Sequence, residues 1–212
     1  MRPAYWSRAK RALTAADPVL AVLIAQHSRV ALVSRGDAFL TLARSIVGQQ
    51  ISVKAADAVW QRVQASCPSM TPGALLRKRA QTLRACGLSA RKVEYLRDLA
   101  SHFQTGRVQP ARFELLDDEA IIAQLTDIRG IGRWSAQMFL IFNLLRPNVL
   151  PLDDLGLLKA IGRHYLGGVK AEALVGAQGR QRLAPIVQVW DPWCSVATWY
   201  LWRSLDPVPV AY

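Results

Sequence analysis

The chain has 212 residues, 51% of them hydrophobic and 20% charged, a balance that excludes the disordered class and allows a substantial buried core. Against 15 Asp and Glu stand 27 Lys and Arg, a net charge of +12 with an isoelectric point near 10.4, so the molecular field favours a polyanion: nucleic acid or an anionic membrane surface. Most of the cations are arginines spread along the chain, and their planar donor forks suit phosphate oxygens, which favours nucleic acid over membrane.

The opening stretch, MRPAYWSRAKRALTAADPVLAVLIAQHSR, mimics a leader peptide. Asp17-Pro18, however, reads as a helix cap and first helical residue, and the apolar run is short, so a core helix is predicted. Asp37 caps a segment with apolar Phe39, Leu42, Ala43, Ile46 and Val47, and Ser52 caps another carrying Val53, Ala56, Val59, Trp60 and Val63. Thr71-Pro72 opens a short helix. Ser89 opens one with Val93, Leu96, Leu99, Ala100 and Phe103 that stops at Gly106. Asp117-Asp118-Glu119 starts a helix with Ile121, Ile122, Leu125 and Ile128, which runs into Gly130-Ile131-Gly132; a second helix then continues to about Leu145, before Pro147. Asp153 or Asp154 starts the next, ending near Gly167-Gly168, and Asp191-Pro192 starts the last, with Trp193, Val196, Ala197, Tyr200 and Leu201 inward. No clean period of two marks a strand, and irregular backbone is expected at 67–72, 106–115 and 167–180. The fold class is therefore all-α.

Cys67, Cys86 and Cys194 are too few and too widely spaced for a disulfide framework or a zinc or iron–sulfur site, and read as reduced core residues. His27, His102 and His164 have no metal-ligand spacing. No stretch approaches the roughly 18 to 20 apolar residues of a membrane span. Chemistry concentrates instead in LTDIRGIGRWSAQMFLIF, residues 125–142. Paired glycines allow a tight path between helices and expose the amides of Gly130 to Trp134, where a phosphate fits. A glycine ending one helix and another opening the next would leave the same spelling. The following VLPLDDLGLLKAI, which sets Asp153 and Asp154 at a helix start, is more specific.

With these motifs in order, the chain resembles the helix-hairpin-helix DNA glycosylase superfamily, and within it the bacterial 3-methyladenine DNA glycosylase II group. The resemblance rests on LTDIRGIGRWSAQ for the hairpin, PLDDLGL for the acidic motif, LARSIVGQQISVKAADAVW for an early helix and WDPWCSVATWYLWR for the last. It implies an all-helical fold of helical subdomains flanking a DNA-binding cleft. Residues 36–147 would form a central domain with the hairpin, and residues 1–35 and 148–212 a second domain carrying the catalytic aspartate. The resemblance puts that aspartate at Asp154 and leaves Asp153 as the helix cap, since adjacent helical residues diverge by about 100°. An ionised carboxylate there would stabilise the positive charge that builds on the deoxyribose as the N-glycosidic bond breaks, and orient or deprotonate the attacking water.

The lesion base must first leave the stack, at a cost of a few kcal/mol in intact duplex. By resemblance Trp134 and Trp202 are pocket tryptophans, whose indole faces favour a cationic alkylated purine. Met138, one turn beyond Trp134, is a pliable wall where relatives often carry an aromatic. Gln49 joins the pocket, and Gln50 stands where relatives present a wedge into the vacated stack; a solvated loop glutamine is the alternative. Trp193 and Trp199 read as structural. Gly130, Ile131, Gly132, Arg133 and Trp134 are the expected DNA contacts. Relatives that also cut the strand carry a lysine nucleophile where this chain has Trp134, so a monofunctional enzyme is expected. The backbone carbonyls of Thr126, Ile128 and Ile131 correspond to those that hold a monovalent cation, Na+ or K+, in the family, although Arg129 replaces the usual proline. The implied activity is base excision of alkylated purines, chiefly 3-methyladenine, from damaged double-stranded DNA. No cofactor is required, and a monomer in the bacterial cytoplasm, nucleoid-associated through its DNA, is expected. Excision of deaminated, etheno or oxidised bases, or DNA binding without chemistry, are the alternatives.

Overall fold

Side chains that accept hydrogen bonds decide where most of the helices begin. In the computed structural model, which describes residues 2–205, Asp17, Asp37, Ser52, Thr71, Ser89, Asp117 and Asp154 each accept from a backbone N–H of the turn that follows. The helices are α1 (Trp6–Ala16), α2 (Pro18–Gln26), α3 (Ala38–Gly48), α4 (Val53–Ser66), α5 (Pro72–Arg77), α6 (Ala80–Ala85), α7 (Ala90–Gln104), α8 (Asp118–Thr126), α9 (Arg133–Phe142), α10 (Leu155–Tyr165), α11 (Gly176–Val187) and α12 (Cys194–Leu205). Tighter 3-10 turns lie at Pro110–Leu115, Ala171–Leu174 and Gln188–Trp190. Among the described residues there is no strand, and no helix is long and apolar enough to cross a membrane.

Several boundaries differ from expectation. α9 stops at Phe142, short of Leu145, because Leu145 adopts φ 56° and the Arg146 N–H turns back to the Leu140 carbonyl at 2.9 Å. The stretches expected to be irregular hold the 3-10 turns at Pro110–Leu115 and Ala171–Leu174, and the latter runs on into α11. The last helix begins at Cys194, after a cis Asp191–Pro192 peptide.

The chain divides into two compact units. One spans residues 35–139, where α3 packs on α4 and α7, and α7 also receives α5 and α6. Phe39, Leu42, Ala43, Ile46 and Val47 of α3 meet Leu96, Leu99 and Ala100 of α7 in its core, and Phe39 meets Phe103 edge-on at 5.4 Å. Val53 breaks the expected pattern: at 48% exposure it stays at the surface while Val59, Trp60 and Val63 are buried.

The other unit joins residues 2–34 to 140–205. α1 packs on α2 and α12, and α12 on α10, with Trp6, Trp190 and Tyr200 fully buried. Trp199 sits edge-on to Trp6 at 5.2 Å and Trp193 stacks on Tyr5 at 5.8 Å, which gives both a packing role. Its two chain segments are stitched by Tyr5 O–H donating to the Leu145 carbonyl at 2.6 Å and Ser34 O–H donating to the Asn143 carbonyl at 2.8 Å. Those ties draw residues 143–145 to the N-terminal segment, so the unit boundary lies inside α9 and ahead of position 147. Asp17 is the hub: 3% exposed, its carboxylate accepts from the N–H groups of Val19 and Leu20, the Tyr165 hydroxyl at 2.7 Å and the Trp190 indole N–H at 2.9 Å. Burial, and then the contact with Asp17, push the Tyr165 hydroxyl above its ordinary pKa. Cys67, Cys86 and Cys194 are free and buried, and burial pushes the Cys194 thiol up to about 12.

Candidate active site and nucleic-acid interface

Between α8 and α9 the chain reverses through residues 127–132, the predicted hairpin turn. Ile131 N–H donates to the Ile128 carbonyl at 3.1 Å, and Gly130 takes φ +82°, a conformation that favours glycine. A Cβ at Gly130 would also overlap the Tyr95 ring beneath it, so glycine is required there twice over. At Gly132 a Cβ would meet nothing, and Gly132 and Arg133 are exposed. The turn is fastened from α7: the Asp98 carboxylate accepts the Arg129 N–H at 2.8 Å, and buried His102 lies 3.0 Å from the Asp127 carboxylate. Arg133 projects from the first turn of α9 into an exposed two-pronged pair with Glu119, which holds the Glu119 carboxyl below its usual pKa. Trp134 is half-buried and Met138, one turn on, is 7% exposed.

The carbonyls of Thr126, Ile128 and Ile131 lie at the C-terminal end of α8 and in this turn. Ile128 spends one lone pair on Ile131 N–H and keeps another. Neutral carbonyl oxygens at a helix C-terminus suit a monovalent cation, so the donor set fits the ion that the resemblance implies. Among the described residues no group of three or more His, Cys, Asp or Glu side chains is placed to hold a metal ion.

A second turn lies beside the hairpin in the same unit. Gln49 ends α3 and its Nε2 donates to the Gly130 carbonyl at 2.8 Å, while Gln50 is exposed with φ 57°. Gln49, Gln50, Tyr95, Trp134 and Met138 share the wall of a cavity of about 630 Å³, together with the Arg44–Asp57 ion pair at 2.7 Å. Sequence reasoning found Gln49, Gln50, Trp134 and Met138 here and missed Arg44, Asp57, Lys92 and Tyr95. Lys92 carried a faint signal, since a lysine in the first turn of a helix opposes the helix dipole and needs another reason to be there.

The acidic motif lies in the other unit. Asp154 itself caps α10, its Oδ1 accepting the Leu157 N–H at 2.6 Å and the Trp202 indole N–H at 2.8 Å. This corrects the expectation that Asp153 is the cap: the Leu157 N–H donates to the carboxylate three residues before it, which fixes the capping acceptor as Asp154. Asp153 points outward to pair with Arg180 at 2.9 Å. Trp202 stacks on Phe142 with centroids 5.6 Å apart and planes within 15°. Gly156 keeps the corner open, for a Cβ there would lie 3.1 Å from Asp154 Oδ1 and 3.4 Å from Trp202. The arrangement holds a half-buried carboxylate at a helix N-terminus, aimed by an indole N–H, where it can steady a developing cation or orient a water.

Residues 43–184 match the model for HhH-GPD superfamily base excision DNA repair proteins. The chain is 33% identical over 167 residues to DNA-3-methyladenine glycosylase 1 of Schizosaccharomyces pombe, covering 77% of this chain and 70% of the relative. Among solved structures it is similar to a DNA-3-methyladenine glycosidase from Bacillus halodurans, at 33% identity and a TM-score of 0.73, covering 90% of each chain. The S. pombe 3-methyladenine DNA glycosylase Mag1, solved in complex with abasic DNA, is 26% identical with a TM-score of 0.78, covering 97% of this chain and 99% of that one.

Proposed function

The chain belongs to the HhH-GPD superfamily of base excision DNA repair proteins, and on that premise we propose that it is a monofunctional DNA glycosylase that removes alkylated purines such as 3-methyladenine from duplex DNA. The observation that carries this reading is the Asp154 carboxylate, held at the α10 N-terminus by Leu157 N–H and Trp202 N–H. Its charge faces the positive character that develops on the sugar as the N-glycosidic bond lengthens. A water oxygen adds to C1′, the water gives up a proton, and the electron pair of the broken bond leaves with the base. Alkylation has already made that base cationic, so departure neutralises it. Only water is consumed, and this glycosylase family needs no cofactor.

Trp134, Trp202, Met138 and Gln49 serve the extruded base, Gln50 occupies the stack it vacates, and the backbone from Gly130 to Trp134 receives phosphate. Gly132 supports the last role, because the side chain it lacks would stand in open space on the exposed side of the turn. With tryptophan at 134 in place of a lysine, no Schiff base forms, so the strand is left uncut. The carbonyls of Thr126, Ile128 and Ile131 would hold Na+ or K+, which would lend positive charge to the phosphate side of the hairpin. The enzyme acts as a monomer in the cytoplasm, on the nucleoid.

Duplexes carrying single defined lesions test the reading. Free 3-methyladenine is expected, with strand breaks appearing only after heating, and more slowly or not at all from deaminated, etheno or oxidised bases. Tight binding without release of any base would leave a DNA-binding module in place of an enzyme.

Arg133 supplies a further expected result. Its pairing with Glu119 is exposed on both sides, and such a pair exchanges readily for phosphate. Arg133→Gln is expected to reduce the slope of log K against log salt by about one, whereas Glu119→Gln leaves the slope intact. Affinity titrations from low to moderate salt measure both, and an unchanged slope in Arg133→Gln removes this residue from the DNA interface.

A further inference from the structure

Lys92 stands in the first turn of α7, where a cation opposes the helix dipole, and its ammonium is spent on the protein itself. Nζ donates to the carbonyls of Val47 and Gln49, each at 2.7 Å. These are orphan acceptors at the C-terminal end of α3, which has no glycine cap beyond it: Gln49 leaves the helix extended and Gln50 follows in the left-handed region at φ 57°. A glutamine in that conformation is held there by its surroundings. Burial lowers the Lys92 pKa, as expected of an ammonium partly withdrawn from water. The same face of α7 carries Tyr95 under Gly130 and Asp98 on the Arg129 amide, and Gln49 Nε2 reaches the Gly130 carbonyl. One edge of one helix thus fastens the turn bearing Gln50 and the hairpin turn to each other.

We propose that Lys92 is a positioning residue for base extrusion: by gripping the carbonyls of Val47 and Gln49 it fixes Gln50 at the tip of its turn, in register with the hairpin. This rests on the glycosylase reading and adds a role for a residue that touches neither the lesion nor the sugar. Positioning of Gln50 matters only when a paired base has to be displaced. It is dispensable when the base is already unstacked.

The test compares wild type, Lys92→Met, Lys92→Arg, Gln50→Ala and the Lys92→Met/Gln50→Ala double variant on one alkylated purine, presented either in a fully paired duplex or opposite a one-nucleotide gap. Single-turnover excision by Lys92→Met is expected to fall at least tenfold on the paired substrate and less than twofold on the gapped one. Lys92→Arg, which retains paired donors, restores most of the loss. The double variant is no slower than the worse single variant, because both changes remove the same function. The salt slope of binding stays that of wild type, since the ammonium is engaged inside the protein.

Equal losses on the two substrates, additive losses in the double variant, or a salt slope lower by about one would each overturn the proposal, the last by making Lys92 a phosphate ligand. Thermal melting checks folding. Should Lys92→Met fail to fold, Lys92→Gln, whose shorter side chain cannot span the carbonyls of Val47 and Gln49, carries the same paired-against-gapped comparison. Should wild type excise nothing, the glycosylase reading fails by itself; fluorescence of a 2-aminopurine next to the target base then reports base extrusion on binding, and Lys92→Met must still reduce it.

Discussion

Asp154→Asn is expected to slow single-turnover base release by about 10²- to 10³-fold, the loss seen when one electrostatic stabiliser is removed from a transition state. The substitution is informative because the structure makes it nearly isosteric in function as a cap. Oδ1 accepts the Leu157 N–H at 2.6 Å and the Trp202 N–H at 2.8 Å, and an asparagine oxygen can accept both. Asparagine caps helices about as well as aspartate, so α10 keeps its start. What disappears is the negative charge. DNA affinity and melting temperature should therefore stay near wild type while excision collapses, a separation readable by fluorescence anisotropy, thermal melting and quantitation of heat-labile sites. Asp154→Ala is the contrasting control: it removes charge and cap together and costs about 1 kcal/mol of stability besides. If Asp154→Asn releases base at the wild-type rate, the carboxylate is a cap and nothing more.

How far the fold could be read from the sequence followed the caps. Every helix that begins on a side-chain acceptor, at Asp17, Asp37, Ser52, Thr71, Ser89, Asp117 or Asp154, was found from its spelling. The helices missed were α1, α6 and α11, and these begin at Tyr5, Arg79 and Val175, none of which makes a side-chain cap bond. α11 was hidden further by glycines at 176 and 179 and a proline at 185, all unfavourable in a helix considered alone. Tertiary context overrides that propensity at Gly179, where a Cβ would overlap the Leu174 backbone, so close packing demands the glycine.

The candidate site divides the same way between local and long-range information. Gly130 and Asp154 sit in short motifs and were singled out from them. Asp153 and Asp154 both occupy a helix start, so spelling alone could not tell which of them caps it, and in the structure the cap is Asp154. Trp202 was placed by resemblance, but its hydrogen bond to Asp154 spans 48 residues and leaves no local trace. Lys92, Tyr95 and Asp98 read as an ordinary helix surface. Their work depends on turns 43 and 45 residues upstream of Lys92 and 31 residues downstream of Asp98, distances over which periodicity says nothing.

Stability should depend most sharply on a residue far from any proposed chemistry. Asp17→Ala is expected to cost about 4 kcal/mol, because it leaves the Tyr165 hydroxyl and the Trp190 indole N–H without their acceptor and removes the cap of α2 as well. Each stranded donor costs roughly 1 to 3 kcal/mol when water cannot reach it, and the Asp17 environment is 3% exposed. The acceptors and donors come from opposite ends of the chain, 148 and 173 residues apart, so their loss loosens the joint between the N-terminal helices and the segment after residue 140. Asp17→Asn separates the contributions. Its oxygen still caps α2, and the Tyr165 hydroxyl can rotate to accept from the new amide, but the Trp190 N–H can only donate and now faces a donor. A loss of about 2 kcal/mol, midway between wild type and Asp17→Ala, is the expected result. For a chain of this size the alanine variant should melt roughly 10 °C below wild type. A melting temperature within 2 °C of wild type would mean that the buried carboxylate contributes nothing net, its desolvation cancelling the bonds it accepts.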